Sequence, residues 1–136
     1  AETGHLVLST CHTPNTFQTI ERIVSIFPER QQSQIVTQLA NSLKGVIAQR
    51  LLTSSNNKKL VLATEFFIGD PATRHNIRQK EFHHIVSALQ TGKQKGMHTM
   101  DDSLLSLYQQ GEITYDMCIN NSLDPKHMES EIHKNS

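Results

Sequence analysis

Residues 1–13 read AETGHLVLSTCHT, and how this stretch is read decides the fold. His5 to Leu8 is apolar after its histidine, and Ser9, Thr10, His12 and Thr13 then crowd hydroxyls and imidazoles together. A short apolar run that ends in polar side chains is the pattern of a core strand in an α/β sheet, which delivers functional groups at its carboxyl end. A buried strand is therefore expected here, with no cap or arm ahead of it, as though the chain opened midway through a larger unit.

Outward from this strand the periodicity changes. Phe17, Ile20, Ile23, Val24 and Phe27 recur at helical spacing, with Asn15 or Thr16 available as a cap and Pro28 as a stop. Pro28 also suits the first turn of a second helix, whose apolar stripe is Ile35, Val36, Leu39, Ala40 and Leu43 and whose end is Gly45. VIAQRLL (46–52), a polar cluster at 53–57 and KLVLATEFFI (59–68) together predict a β-hairpin with a polar tip. Beyond Pro71 no strand is expected. Residues 72–80, 82–90, 99–110 and 114–121 suit helices, separated by Gly92, Gly96 and Gly111 or by small polar residues. The tail KHMESEIHKNS (126–136) has almost nothing to bury and is expected to fray. The expected division is an α/β part over 1–70, a helical subdomain over 71–124 and a disordered tail over 125–136.

Composition narrows the function. The chain has 136 residues, enough for one domain with a real core plus an appendage. Thirteen basic and thirteen acidic residues balance, so no wholesale attraction to nucleic acid or anionic lipid is implied. Cys11 and Cys118 lie far apart, and neither has a metal-finger spacing, which favours two reduced thiols and no bound metal. No apolar run approaches the roughly 20 residues of a membrane span, and the first residues lack the features of a signal peptide. A soluble intracellular protein is the expectation.

His5 and His12 are the sharpest candidates for chemistry. A histidine at a strand's carboxyl end can donate a hydrogen bond to a phosphate, and a nearby threonine hydroxyl can position it; equally, a histidine in a strand can simply be satisfied by a carbonyl. Seven residues apart on one straight strand, the two would lie on opposite faces and would not share a metal. His83 and His84 point in different directions from one helix, and His75 and His98 stand alone. Arg74 and Arg78 share a helical face beside Lys80, a stripe that fits a phosphate, a partner's carboxylates or plain solvent. TGKQKGM (91–97) lacks the spacing G-x-x-x-x-G-K-S/T of a phosphate loop and reads as a flexible connector. Cys11 and His12 are adjacent, so on a strand they face opposite ways and form no nucleophile–base pair.

Several ordered blocks resemble one family. AETGHLVLSTCHT resembles the histidine box of the secretion-ATPase superfamily, in which AETGHLV is followed by a threonine and an H-T pair. ERIVSIFPERQQSQIVTQLANSLKGVIAQRLL (21–52), GDPATRHNIRQ (69–79) and ALQTGKQKGMHTMDDSLLSLYQQGEIT (88–114) are similar in form and spacing to segments of its twitching-motility PilT family, the type IV pilus retraction ATPases. The resemblance covers Ala1 to about Leu123. The family's A-I-R-N-L-I-R-E helix reads ATRHNIRQ (72–79) here, keeping Arg74, Ile77 and Arg78 but ending in glutamine; Pro14-Asn15 also departs from the usual residues after the H-T pair. The assembly and secretion branch carries a four-cysteine zinc site soon after the equivalent of IAQRLL, whereas residues 53–59 contain no cysteine.

This resemblance implies an α/β fold: part of a RecA-like P-loop NTPase core followed by an α-helical subdomain, the carboxyl-terminal part of a motor whose P-loop and Walker B strand lie outside this sequence. It implies His12 and Thr10 as catalytic residues, with His5, His12 and Thr13 nucleotide-binding. His12 would sit nearest the γ-phosphate, His5 closer to a structural or subunit-interface role, and Arg74, Ile77 and Arg78 would form the retraction motif. ATP and Mg2+ are the implied cofactors, bound mainly by the part outside this chain. Implied partners are identical subunits in a homohexamer and an inner-membrane pilus platform protein, without nucleic acid, at the cytoplasmic face of the bacterial inner membrane and peripheral to it. The implied activity is ATP hydrolysis in the full-length protein and none in this chain alone. A secretion-system or pilus-accessory ATPase, and a stand-alone non-catalytic binding module, are the alternative readings.

Overall fold

A computed structural model describes residues 1 and 3–134. Helix α1 (Thr16–Ser25) starts where the Asn15 side chain accepts the Gln18 N–H at 2.9 Å, and it buries Ile20 and Val24 on one stripe. Pro28 stands just before α2 (Glu29–Ser42), whose Val36 and Ala40 are buried. Strands β1 (Gly45–Thr53) and β2 (Leu60–Ile68) then form an antiparallel hairpin in register from Gly45 opposite Ile68 to Thr53 opposite Leu60. Its tip is held by the Ser54 N–H on the Lys59 carbonyl and by the Asn56 side chain, with Asn57 at a φ of 56°. Asparagine tolerates that left-handed conformation better than most residues.

Among the described residues five α-helices follow, and most begin with a side-chain cap. Asp70 accepts the Thr73 N–H and Pro71 takes the first position of α3 (Pro71–Arg78). The helix stops there because Lys80 turns to a φ of 58° and lies outside it. Helix α4 (His84–Thr91) has no side-chain cap. Thr99 and Asp102 cap α5 (Met100–Gln109) reciprocally, and Thr114 caps α6 (Tyr115–Asn121).

Sequence expectations are corrected at both ends of the described chain. Residues 126–134 do not fray: α7 (Pro125–Lys134) buries Met128 and Ile132, four residues apart on one face, against α5 and α6. Asp124 and Pro125 start it as Asp70 and Pro71 start α3, with Asp124 accepting the His127 N–H at 3.1 Å. Nor is the His5–Leu8 run a buried strand. Among the described residues the sheet consists of β1 and β2 alone, so the run has no neighbour to complete a ladder, and Leu6 and Leu8 stand 80% and 87% exposed.

The hydrophobic core has two clusters, one at each end of the hairpin. Ile20, Val24, Val36, Ala40, Phe67 and Ile77 belong to the first, with α4. Ala48, Leu52 and Ala63 join α5, α6 and α7 in the second. The connector over 91–97 is also more ordered than expected. A single 3-10 turn (Lys93–Lys95) is pinned by ion pairs from Lys93 to Asp102 and from Lys95 to Asp70, and Met97 is buried.

Candidate nucleotide-facing segment

The opening segment turns at Gly4, whose φ of 87° suits glycine, and then runs without regular secondary structure to Thr13. His5, Thr10 and His12 are exposed, and His5 Nδ1 lies 3.0 Å from the Thr3 hydroxyl. Among the described residues no hydrogen bond joins His5, Thr10 and His12 to one another. They present exposed imidazole and hydroxyl groups on backbone that joins no sheet among the described residues.

Thr13 anchors the end of this segment. Its hydroxyl lies 2.6 Å from the Thr19 hydroxyl, and Thr19 in turn donates to the Asn15 carbonyl at 2.8 Å. Since a hydroxyl has one proton to give, Thr13 is the donor to Thr19. The segment is thereby fastened to the first turn of α1, with His12 immediately before the anchor.

Glu65 supports the same place from beneath. It lies on the inward face of β2 and is only 2% exposed. Oε1 accepts the Thr16 N–H at 2.7 Å, and Oε2 faces the Met100 N–H at a longer 3.4 Å. These are first-turn amides of α1 and α5, where the helix dipole favours a negative charge. The Thr16 hydroxyl is buried without a hydrogen-bond partner among the described residues. Sequence reasoning passed over Glu65; the available signal was a lone charge on the inward-facing side of an otherwise apolar strand.

Arg74, Ile77 and Arg78 do not form one exposed patch. Ile77 is fully buried in the first core cluster, Arg74 Nε donates to the Gly69 carbonyl at 2.9 Å, and Arg78 alone is exposed, reaching the Asn41 side chain at 3.4 Å. Beside Glu65, between α4, α5 and α7, lies a cleft of about 590 Å3 lined by Asp101, Asp102, Asp124, Lys93 and His127 among others. Most of its acidic groups are already engaged. Asp101 accepts from the Leu123 and Asp124 amides, and Asp102 completes the α5 cap and pairs with Lys93. Among the described residues no three histidine, cysteine or acidic side chains converge as a metal site.

Comparison with known proteins gives this geometry its class. The family described as "Type II/IV secretion system protein" matches residues 1–83, and the chain belongs to that family. It is 44% identical over 113 residues to the "Twitching motility protein" of Neisseria gonorrhoeae, covering 83% of this chain and 30% of that one. To the "Type IV pilus retractation ATPase PilT" of Pseudomonas aeruginosa it is 40% identical over 114 residues, covering 84% and 33%. The solved structure of the pilus retraction motor PilT with bound ADP superimposes with a TM-score of 0.83 at 42% identity, over 96% of this chain and 36% of that one. The ATPase DotB of Yersinia pseudotuberculosis, at 22% identity and a TM-score of 0.76, shares the fold over 90% of this chain and 32% of its own. The chain spans about a third of the length of the relatives it matches. It carries part of a RecA-like core followed by a helical subdomain. Among the described residues no helix is long and apolar enough to cross a membrane.

Proposed function

We propose that this chain serves as the carboxyl-terminal part of an ATP-hydrolysing motor that drives type IV pilus retraction and twitching motility. The observation that carries this reading is the 42% identity and near-complete coverage of this chain by the ADP-bound retraction motor. In that motor the chain works as one subunit of a homohexamer against an inner-membrane platform protein, at the cytoplasmic face of the membrane. Bound between subunits, ATP supplies the phosphoryl group whose cleavage powers movement.

His12 donates to the γ-phosphate, Thr10 and Thr13 hold its approach, and His5 borders the nucleotide. The exposure of Thr10 and His12 supports this assignment, because those two side chains are open to a ligand presented from another surface. Nucleotide presence then passes to the rest of the chain through the Thr13 anchor on α1. Arg74, Ile77 and Arg78 belong to the retraction helix: Ile77 seats it, and Arg78 is the side chain left available to a partner. Phosphate cradling and magnesium binding fall to residues outside this chain, so the 136-residue chain alone turns over no ATP.

The test is His12→Ala in the complete protein. Expected is a fall in ATP turnover on the order of a hundredfold, with loss of retraction and an unchanged melting temperature. Unchanged turnover and retraction would remove His12 from the mechanism, and steady ATP hydrolysis by the isolated chain would refute its dependence on the rest of the motor. A pilus-accessory role is the second reading, supported by 37% identity over 116 residues to the "Type IV pilus ATPase PilU" of Pseudomonas aeruginosa. Complementation separates the two: restored retraction in a strain lacking its retraction motor supports the first, and failure there with rescue of an accessory-ATPase deletion supports the second.

A further inference from the structure

Glu65 has a role that the nucleotide-facing residues alone do not explain. A buried carboxylate persists only where donors replace its lost water, and those of Glu65 come from two helices that are distant in sequence. Both helices already have side-chain caps, Asn15 for α1 and Thr99 with Asp102 for α5. Glu65 is therefore additional to the caps, and it ties the starts of the two helices to each other. Thr16, its donor in α1, stands three residues after Thr13, where the opening segment is anchored.

We propose that Glu65 is a positioning residue which, by holding the Thr16 and Met100 amides on one carboxylate, fixes the segment bearing Thr10, His12 and Thr13 relative to α5. A phosphate contact at His12 and the placement of α5 are then coupled through one side chain. This rests on the nucleotide-sensing reading above. Two chain positions deliver the link independently of that reading: a first-turn amide immediately after the opening segment, and another at the start of the helix that packs against β2.

The decisive variant is Thr16→Pro in the complete, assembled ATPase. It deletes the N–H that reaches Oε1, at a first helical position where proline is tolerated. Asn15 before it is already extended, at φ −155° and ψ 169°, as a residue before proline should be. Turnover is expected to fall about tenfold with the KM for ATP within about twofold of wild type. Combined with His12→Ala, it should slow the enzyme no further than His12→Ala alone. Glu65→Gln, which keeps the shape and removes the charge, is expected to behave in the same way, so if one variant fails to fold the other carries the same cycle. Wild-type turnover in Thr16→Pro beside a slow His12→Ala enzyme would overturn the link while leaving nucleotide sensing intact. Losses that multiply in the double variant would overturn it too. Wild-type turnover in both single variants would overturn the sensing reading and the link together.

Discussion

Gly69 passes the Leu43 carbonyl so closely that a Cβ on Gly69 would stand 2.1 Å from the Leu43 oxygen. The Gly69 N–H donates to the Lys44 carbonyl at 2.9 Å, locking the end of β2 to the chain entering β1. Because the obstacle is main chain, relief would require moving the α2–β1 passage itself. Gly69→Ala is expected to destabilise the fold by about 1–3 kcal/mol, seen as a lower urea midpoint. An unchanged midpoint would show that the crossing yields easily.

Acid should weaken the fold through two capping carboxylates. Burial pushes the Asp70 carboxyl up, but the Lys95 ammonium and the Thr73 hydrogen bonds together outweigh it and hold the group below its usual range. At Asp102, burial is likewise outweighed, by Lys93 and Thr99. Each therefore binds a proton less readily when folded than when unfolded. Their contribution is complete above the unfolded pKa of about 4 and is lost as pH falls through the lower folded values. Chemical denaturation of the Asp70→Asn, Asp102→Asn variant between about pH 5 and pH 2 should show a shallower loss of stability than wild type. A slope equal to wild type would exclude these two groups.

Helix α7 should contribute measurable stability. Met128 is almost fully buried in the second core cluster, so Met128→Ala is expected to cost about 2–4 kcal/mol. Thermal denaturation reads the change, and a shift within about 0.5 kcal/mol would mark a dispensable tail.

The two thiols should react on different clocks. Cys11 is exposed, whereas Cys118 is buried and its thiol is pushed up by burial and by the Asp101 carboxylate. A thiol-titrating reagent at mildly alkaline pH should label Cys11 promptly and Cys118 only after denaturant is added. Prompt labelling of both would show that the α5–α6 contact opens readily.

Where local chemistry controls structure, the sequence was legible. A cap at Asn15 or Thr16 and helices over 99–110 and 114–121 were readable, as were the apolar runs on either side of the turn-forming residues 53–57 that make the hairpin. The misreadings came where partners decide. His5–Leu8 carries a strand's residues, but a strand exists only against a neighbour, and a stretch of sequence does not state its neighbour. Residues 126–134 offer only Met128 and Ile132 to bury, too little for an isolated helix and sufficient once α5 and α6 are there to receive them. In the candidate site, the residue types of Thr10, His12 and Thr13 were readable at once. The Thr13–Thr19 anchor and Glu65 beneath Thr16 depended on contacts spanning 6 and 49 residues.

The hairpin serves both core clusters, and each of its strands contributes side chains to each end. Extended backbone already lies near the greatest length a chain can reach, at about 3.3 Å per residue. The two ends of the molecule are thus joined by a pair of inextensible struts. They can twist or bend about one another under load, but they cannot be drawn apart along the strands without first pulling side chains out of a core. A pull imposed along the strands at one end is passed to the other with little lost to stretch.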